Sequence, residues 1–488
     1  MHYLNTRLSK VSVIIGLLLS TSTETAKAQT IADSTSVSLP GGYTSSTSSS
    51  NTPELYASNS GSITSPGPLY ITTQGGNSEG VRTDSGGKVF LNGTSDIVTS
   101  GGEASGIKVD GSGSSLTNVG NLNITTNGGA NGIYALNGGN VDISGGILNI
   151  TANGDASTNG PHSAIEANGN GTKVVINAGG TLQTTSLQPS SGGVNSSAIT
   201  ASNGAQITLN GTSSSKLTVK TVGELAHGIS MDANGVGTSV HGSNLSIYTE
   251  GTNANGVFVG DDFALTDSTI NTSGTASDAI KLLGGNSSGV IQNTSIITTG
   301  NTANGISAIA GGTAKLNNTT ITTSGDGSFS IDATIGGKVS SDGFLNINSS
   351  GMSSGAIRAN DNSSVAINDQ LSIISTGDDE STISAKNNSK IAITGSGTIE
   401  KNAPSSIFTT AAVYAATGSS INIQGQNQIQ INSIGNNIHG VYIDGSGDVN
   451  NPTNVSVSGT NITTSGFGAL GAYAINPGST LDIAKSTI

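Results

Sequence analysis

From Leu55 onward the chain repeats one arrangement of apolar and polar positions. A small residue, often Gly, precedes an apolar residue; then come a Gly/Asn turn, an alternating segment, a second turn, and a segment ending near Thr-Thr-x-Gly. Gly132–Gly154, GIYALNGGNVDISGGILNITANG, shows the unit whole, and Asn304–Gly325 is a second copy. The first apolar position of each unit falls at Leu55, Val81, Ile107 and Ile133, 26 residues apart each time. It continues at Ile165, Ile199, Ile229, Val257, Ile280, Ile306, Ile331, Ile357, Ile383, Val413, Val441 and Ala472. These are sixteen starts with a mean step near 28 and single steps of 23 to 34, so the surplus residues belong in turns.

Each unit holds three runs of period two. In Gly132–Gly154 they are Ile133/Ala135, Val141/Ile143 and Leu148/Ile150, and alternation puts each pair on one side of a strand. Ile, Val and Thr suit a pleated surface, and the Asn-Gly and Gly-Gly separators accept positive φ. Asn-Gly alone is also a hairpin signal. Three strands in a unit of 26–30 residues fit one triangular coil better, each strand pairing in parallel with its counterpart one coil away. The predicted fold is all-β: a right-handed parallel β-helix of about sixteen coils of three short strands. At about 4.8 Å per coil it would be a rod of roughly 75 Å. Ile133 and Ile306 should point inward, and Ser307 should face out.

Composition supports a repeat architecture over a conventional globular core. Of 488 residues, 71 are Gly, and Ser, Thr and Asn together number 184. Charged residues are 10%, aromatics 3%, and there is no Trp or Cys. Disordered chains combine high charge with low hydrophobicity, which does not describe ordered Ile, Val and Leu. A formal charge of -13 without a basic cluster excludes a nucleic-acid partner. Without Cys there are no disulfides and no thiolate metal sites.

The N-terminus has the three-part layout of a secretory signal. Arg7 and Lys10 precede the apolar run VSVIIGLLLS, and Ala26-Lys27-Ala28 offers the small residues a signal peptidase reads. Cleavage between Ala28 and Gln29 is expected. Residues 1–28 are therefore read as leader, 29–54 as a Ser/Thr-rich lead-in and candidate N-terminal cap, and 55–488 as the β-helix.

Candidate chemistry is sparse. Asp84-Ser85-Gly86-Gly87 looks like a serine-protease nucleophile motif. No His lies between Gln29 and Ser85, and the four residues occupy the repeat column of Leu136-Asn137-Gly138-Gly139, a turn. Asp261-Asp262, with His227 and His439, has the residue types of polysaccharide-cleaving sites, which need two carboxylates at about 5–9 Å. No matching His motif or basic partner follows, so a solvated corner is the reading. Asp378-Asp379-Glu380 is the densest acidic run, with the ligand chemistry of a weak Ca²⁺ site, and reads as a charged loop. The histidines His2, His162, His227, His241 and His439 are scattered and are assigned to solvent-facing or turn positions. No catalytic, cofactor-binding or metal-binding residues are assigned, and no cofactor.

A signal followed by Gly/Ser/Thr/Asn-rich coils, with Ile-Thr-Thr at Ile71–Thr73, Ile124–Thr126, Ile297–Thr299, Ile321–Thr323 and Ile462–Thr464, resembles the passenger region of Gram-negative autotransporters, the pertactin-like and adhesive group. The resemblance covers nearly the whole mature chain. It implies a β-helix, Sec export to the periplasm, and display at the outer membrane or release to the medium. The translocator barrel that ends such proteins is not in this sequence, which stops inside a coil at Ile488, so the chain is expected to be a fragment or a truncated gene product. The function that follows is a non-enzymatic adhesin or cell-association protein whose partner is a host or neighbouring-cell surface, protein or glycan, or another copy of itself. The alternatives are a carbohydrate-active β-helix enzyme and an inert stalk presenting a missing module.

Overall fold

The computed structural model describes residues 29–154, 162–185, 196–232, 236–445 and 447–488. The leader and Ala28 lie outside the described residues, which begin at Gln29. Every described element is a strand, and the forty strands form one continuous parallel ladder. Each pairs with its counterpart one coil earlier and one coil later, as Ile133 does with Ile107 and Ile165. The fold is a right-handed parallel β-helix of about sixteen turns. Among the described residues no helix is long and apolar enough to cross a membrane.

Alternation decides which residues turn inward. The first apolar positions from Leu55 to Val441 form one column, and all fifteen are fully buried; Ala472, in the last coil, is half-buried. The second and third strands add columns such as Leu116–Val141–Val174 and Ile124–Ile150–Leu182, also buried. One position before the first apolar residue the column is mostly Gly or Ala for a packing reason. A Cβ on Gly106 would lie 2.3 Å from Ile124 Cγ2 and 2.8 Å from the Gly132 carbonyl. Between the first and second strands the chain turns at Asn137 (φ 54°) and Gly138 (φ 88°), the left-handed region that Asn and Gly tolerate.

The Thr-Thr endings have a specific role. One Thr of the ending turns inward, the second in Thr72-Thr73 and Thr125-Thr126 and the first in Thr298-Thr299, and its hydroxyl closes the corner to the next coil. Thr73 Oγ1 donates to the Ser78 carbonyl at 2.6 Å, Thr99 to Ala104 at 2.6 Å and Thr126 to Ala130 at 2.8 Å. A buried backbone acceptor is satisfied at these corners, whereas Thr323 bonds the Ser330 and Ser349 hydroxyls.

Residues 29–54 are not merely a lead-in. Thr30–Asp33, Ser36–Ser38 and Tyr43–Thr47 form a complete coil that pairs in register with Leu55–Ser58, Ser62–Ser65 and Leu69–Thr73. The helix therefore starts one rung earlier than the apolar pattern indicates. The rung was hidden because polar residues interrupt its apolar beat: Thr30 stands in register with Leu55 and Ser45 with Ile71, while Ala32, Leu39 and Tyr43 are buried inside it; Glu54, also buried, occupies the small-residue column. The Ser45 hydroxyl donates to the Glu54 carboxylate inside the coil. Burial pushes the Glu54 pKa up, against that hydrogen bond.

Candidate functional site

The outward residue of each first strand follows its first apolar residue directly. In this one column, in parallel register, the protein concentrates its tyrosines, with charged side chains between them. Five of its nine tyrosines fall here, with both arginines that lie beyond the leader. The outward columns of the second and third strands are mostly Ser, Thr and Asn, as in Ser62, Ser115 and Asn140 or Asn123 and Asn149.

The column opens with Tyr56, Arg82, Lys108 and Tyr134 on successive rungs. Arg82 sits 5.6 Å from the Tyr56 ring centre and Lys108 5.9 Å from that of Tyr134, both in cation–π range. Asp84 accepts the Tyr56 hydroxyl at 2.9 Å and Arg82 Nε at 3.3 Å. Glu166 follows, its pKa raised by burial despite a 2.7 Å hydrogen bond from Asn131 Nδ2.

The middle section is a buried polar ladder beside the column. His227 Nδ1 accepts the Asn255 N–H at 3.0 Å, and Asn255 Oδ1 accepts that of Asp278 at 2.9 Å. Asp278 Oδ1 accepts that of Asn304 at 2.8 Å, and Asn304 Oδ1 that of Phe329 at 2.7 Å. Burial holds the His227 pKa down to about 4, with Lys281 adding to the effect. Burial raises Asp278 to about 6, opposed by its hydrogen bond from Asn304 and by Lys281. His227 stacks on Phe258 at 5.3 Å. Three rungs beyond Phe258 stands Asp332, which Arg358 on the next rung grips through Nε and a terminal nitrogen, both at 2.8 Å, while lying 4.0 Å over the Phe329 ring.

The column ends in stacked rings. Tyr414 and Tyr442 lie 5.2 Å apart and Tyr442 and Tyr473 5.5 Å apart, within 17° of parallel. His439 adds a fourth ring, 5.9 Å from Tyr442 and 5.2 Å from Tyr473.

The residues singled out from the sequence serve the coil. Ser85 (φ 52°) and Gly86 (φ 81°) make a tight turn closed by the Gly87 N–H to the Asp84 carbonyl at 2.9 Å. Asp261 Oδ2 braces a corner by accepting the Gly237 and Thr238 N–H groups at 2.8 and 2.9 Å. Asp262 lies 3.2 Å from His241 Nε2, and both are exposed. Asp378, Asp379 and Glu380 flank the buried ammonium of Lys401. Among the described residues no group of three or more His, Asp or Glu could hold a metal ion.

Two expectations are corrected. His162, His227 and His439 are buried, not solvent-facing; each ring sits against neighbouring coils and hydrogen-bonds there. His2 lies outside the described residues. Ser307 is on the outward side of its strand yet 1% exposed, because Asn304, Asp278 and Asp332 cover it. The column itself was missed, although its signal was available: the residue after each apolar start reads Tyr, Arg, Lys, Tyr, then later Asp, Arg, and finally Tyr, Tyr, Tyr.

No protein-family model matches this sequence, and no curated protein matches it. Among solved structures, a chain of the Vag8–C1 inhibitor complex is similar at a TM-score of 0.47 and 15% identity, with 93% of this chain and 100% of that one covered.

Proposed function

We propose that this chain is an autotransporter-type passenger, exported by Sec and displayed at the cell surface, that acts as a non-enzymatic adhesin or cell-association protein. The observation that carries the reading is the first-strand column. A β-helix needs only small polar residues on its outside, and the second-strand column is mostly these, interrupted by Lys88, Lys173, Lys338 and Lys390. The column instead lines up aromatic rings and bidentate ions, the residue types enriched where proteins bind partners. A binding role also accords with how the carboxylates are used. Asp332 is held by Arg358, and Asp278 by the Asn304 N–H, so their bonding capacity is spent inside the protein.

The test is adhesion by the purified chain. Beads coated with it should attach to host epithelial cells or to neighbouring bacteria. Replacing Arg358 and Tyr473 by Ala should reduce attachment, while Ser62→Ala and Thr117→Ala on the second-strand face should not. Equal attachment by both sets, or none by the parent chain, overturns the reading.

A further inference from the structure

We propose that the ring ladder Tyr414–Tyr442–Tyr473, with His439 beside it, binds a neutral polysaccharide strand lying along the rungs. The inference rests on the binding role proposed above and names its ligand class. Three phenols occur once per rung, so their hydroxyls repeat at the pitch of the coil. Among the described residues none of the three hydroxyls bonds a protein group, and none is buried without a partner. Tyr56, at the other end of the same column, differs: its hydroxyl is held by Asp84. A stack of rings stabilises a coil without free hydroxyls, so stacking alone does not account for the row.

His439 adds a donor. Its Nδ1 accepts the Leu470 N–H at 3.1 Å, so the neutral ring carries its proton on Nε2. Burial lowers the His439 pKa, which favours that neutral form. The chemistry offered is a line of uncharged donors and acceptors with ring edges between them.

Charge chooses among ligands. Burial first, then Asp444, pushes the Tyr414 pKa up to about 12, and burial and Asp444 raise Tyr442 as well. Tyr414 and Tyr442 therefore stay neutral, and the carboxylate beside them disfavours a polyanion. The nearby cation, Lys386, lies 5.5 Å from the Tyr414 ring centre and is paired with Glu380 at 3.7 Å. A peptide strand is recognised by a free sheet edge or by pockets for alternate side chains. The face of the ladder at Tyr414 and Tyr442 offers neither, because the backbone there is already paired on both sides; Tyr473, on the last described rung, pairs on one side. A polymer of neutral sugar units, repeating hydroxyls along its length, matches a protein surface that repeats them too.

The test is native affinity electrophoresis of the full chain in gels containing xyloglucan, galactomannan, glycogen or dextran, with heparin as the polyanion. At least one neutral polysaccharide should retard the protein. Tyr442→Phe keeps the ring stack and removes one hydroxyl; it should weaken apparent affinity about fivefold, the worth of one hydrogen bond. Tyr473→Ala should weaken it about tenfold, and Thr117→Ala on the second-strand face should leave it unchanged. An unaltered thermal midpoint in Tyr442→Phe shows that the ladder is intact. Three results overturn the inference: no retardation by any neutral polysaccharide, retardation unchanged in Tyr442→Phe, or retardation by heparin alone. Cell attachment without retardation removes the glycan inference and leaves adhesion standing; retardation without cell attachment does the reverse.

Discussion

Asn255 Oδ1 accepts the backbone N–H of Asp278, 23 residues later in sequence and one rung away in space, at 2.9 Å. The same bond recurs along the ladder with a different acceptor on each rung: His227, Asn255, Asp278, Asn304. Only the acceptor atom is fixed by the geometry; the side chain that supplies it changes. Asn is the undemanding choice, because it accepts without titrating. His227 and Asp278 do the same work and add an ionisable group to a buried site.

Their pH effects should oppose each other. His227 has a folded pKa of about 4 against an ordinary 6.5, so the unfolded chain binds more protons between those values. Its contribution is complete above pH 6.5 and lost as pH falls toward 4. Asp278 has a folded pKa of about 6 against 3.8, so the folded chain binds more protons there, and stability is lost as pH rises from 3.8 to 6. Each should amount to roughly 3 kcal/mol when fully developed. His227→Asn should leave a protein whose stability falls as pH rises from 4 to 6. Asp278→Asn should leave one whose stability rises over the same span. Urea unfolding at pH 4, 5, 6 and 7 checks both; parallel profiles for the two variants would refute the burial argument.

Ser307→Asp tests the covered side of the column. A residue facing open water would accept the change with little effect. Ser307 is instead enclosed, with Asp278 and Asp332 on either side and the Asn304 amide on its hydroxyl at 3.1 Å. A third carboxylate there should destabilise by several kcal/mol at pH 8 and by less at pH 4, where it is largely protonated. Thr200→Asp, in the same column but half-exposed, is the control and should be mild. Equal effects at both pH values would argue against crowding of charge as the cause.

The period-two pattern made the coil legible because it is a local property: Ile306 and Ile331 could each be assigned inward from their own neighbours, and both are fully buried. Thr30 and Ser45, in register with Leu55 and Ile71, and buried Glu54 interrupted that pattern, so the apolar Ala32, Leu39 and Tyr43 of the same rung did not read as a repeat. What decorates the outside was less accessible, because each side chain's surroundings come from residues about 26 positions away. Whether Asp278 is solvated or sealed depends on Asn304 and Ser307, and nothing in the sequence around Asp278 states the register that brings them there. Ser307 was misplaced for this reason. The tyrosine row required only the residue beside each apolar start, and it is the part of the site that sequence alone could have yielded.

Thr126 and Thr125 separate corner closure from β-propensity. Thr126 is fully buried and donates to the Ala130 carbonyl at 2.8 Å, while Thr125 points outward. Thr126→Val keeps the shape but strands a buried acceptor, which should destabilise by about 1–3 kcal/mol. Thr125→Val should be neutral within about 0.5 kcal/mol. Equilibrium unfolding of the two variants decides, and equal costs would remove the special role of the second Thr in the pair.

Lys401 is the exception in that inward Thr/Ser column, standing in register between Ser375 and Ser433. It is fully enclosed, and its ammonium donates to the carbonyls of Gly377 and of Glu380, the latter at 2.6 Å. Burial pulls its pKa down to about 8, although Asp378, Glu380 and Asp379 oppose the shift. The unfolded chain, with a lysine near 10.5, binds more protons between pH 8 and 10.5, so stability should rise across that window and be lost again as pH falls to 8. The rise attributable to Lys401 should be roughly 3 kcal/mol over the full window. Tyrosines also titrate near its upper end, so the measurement is a difference between two proteins sharing them. Lys401→Thr restores the hydroxyl that the neighbouring rungs use and removes the titrating amine. Urea midpoints at pH 8 and pH 10 should separate for the parent and stay closer together for Lys401→Thr. Matching pH responses would mean that the ammonium is fully stabilised by the acidic loop, and that the lysine imposes no penalty on the coil.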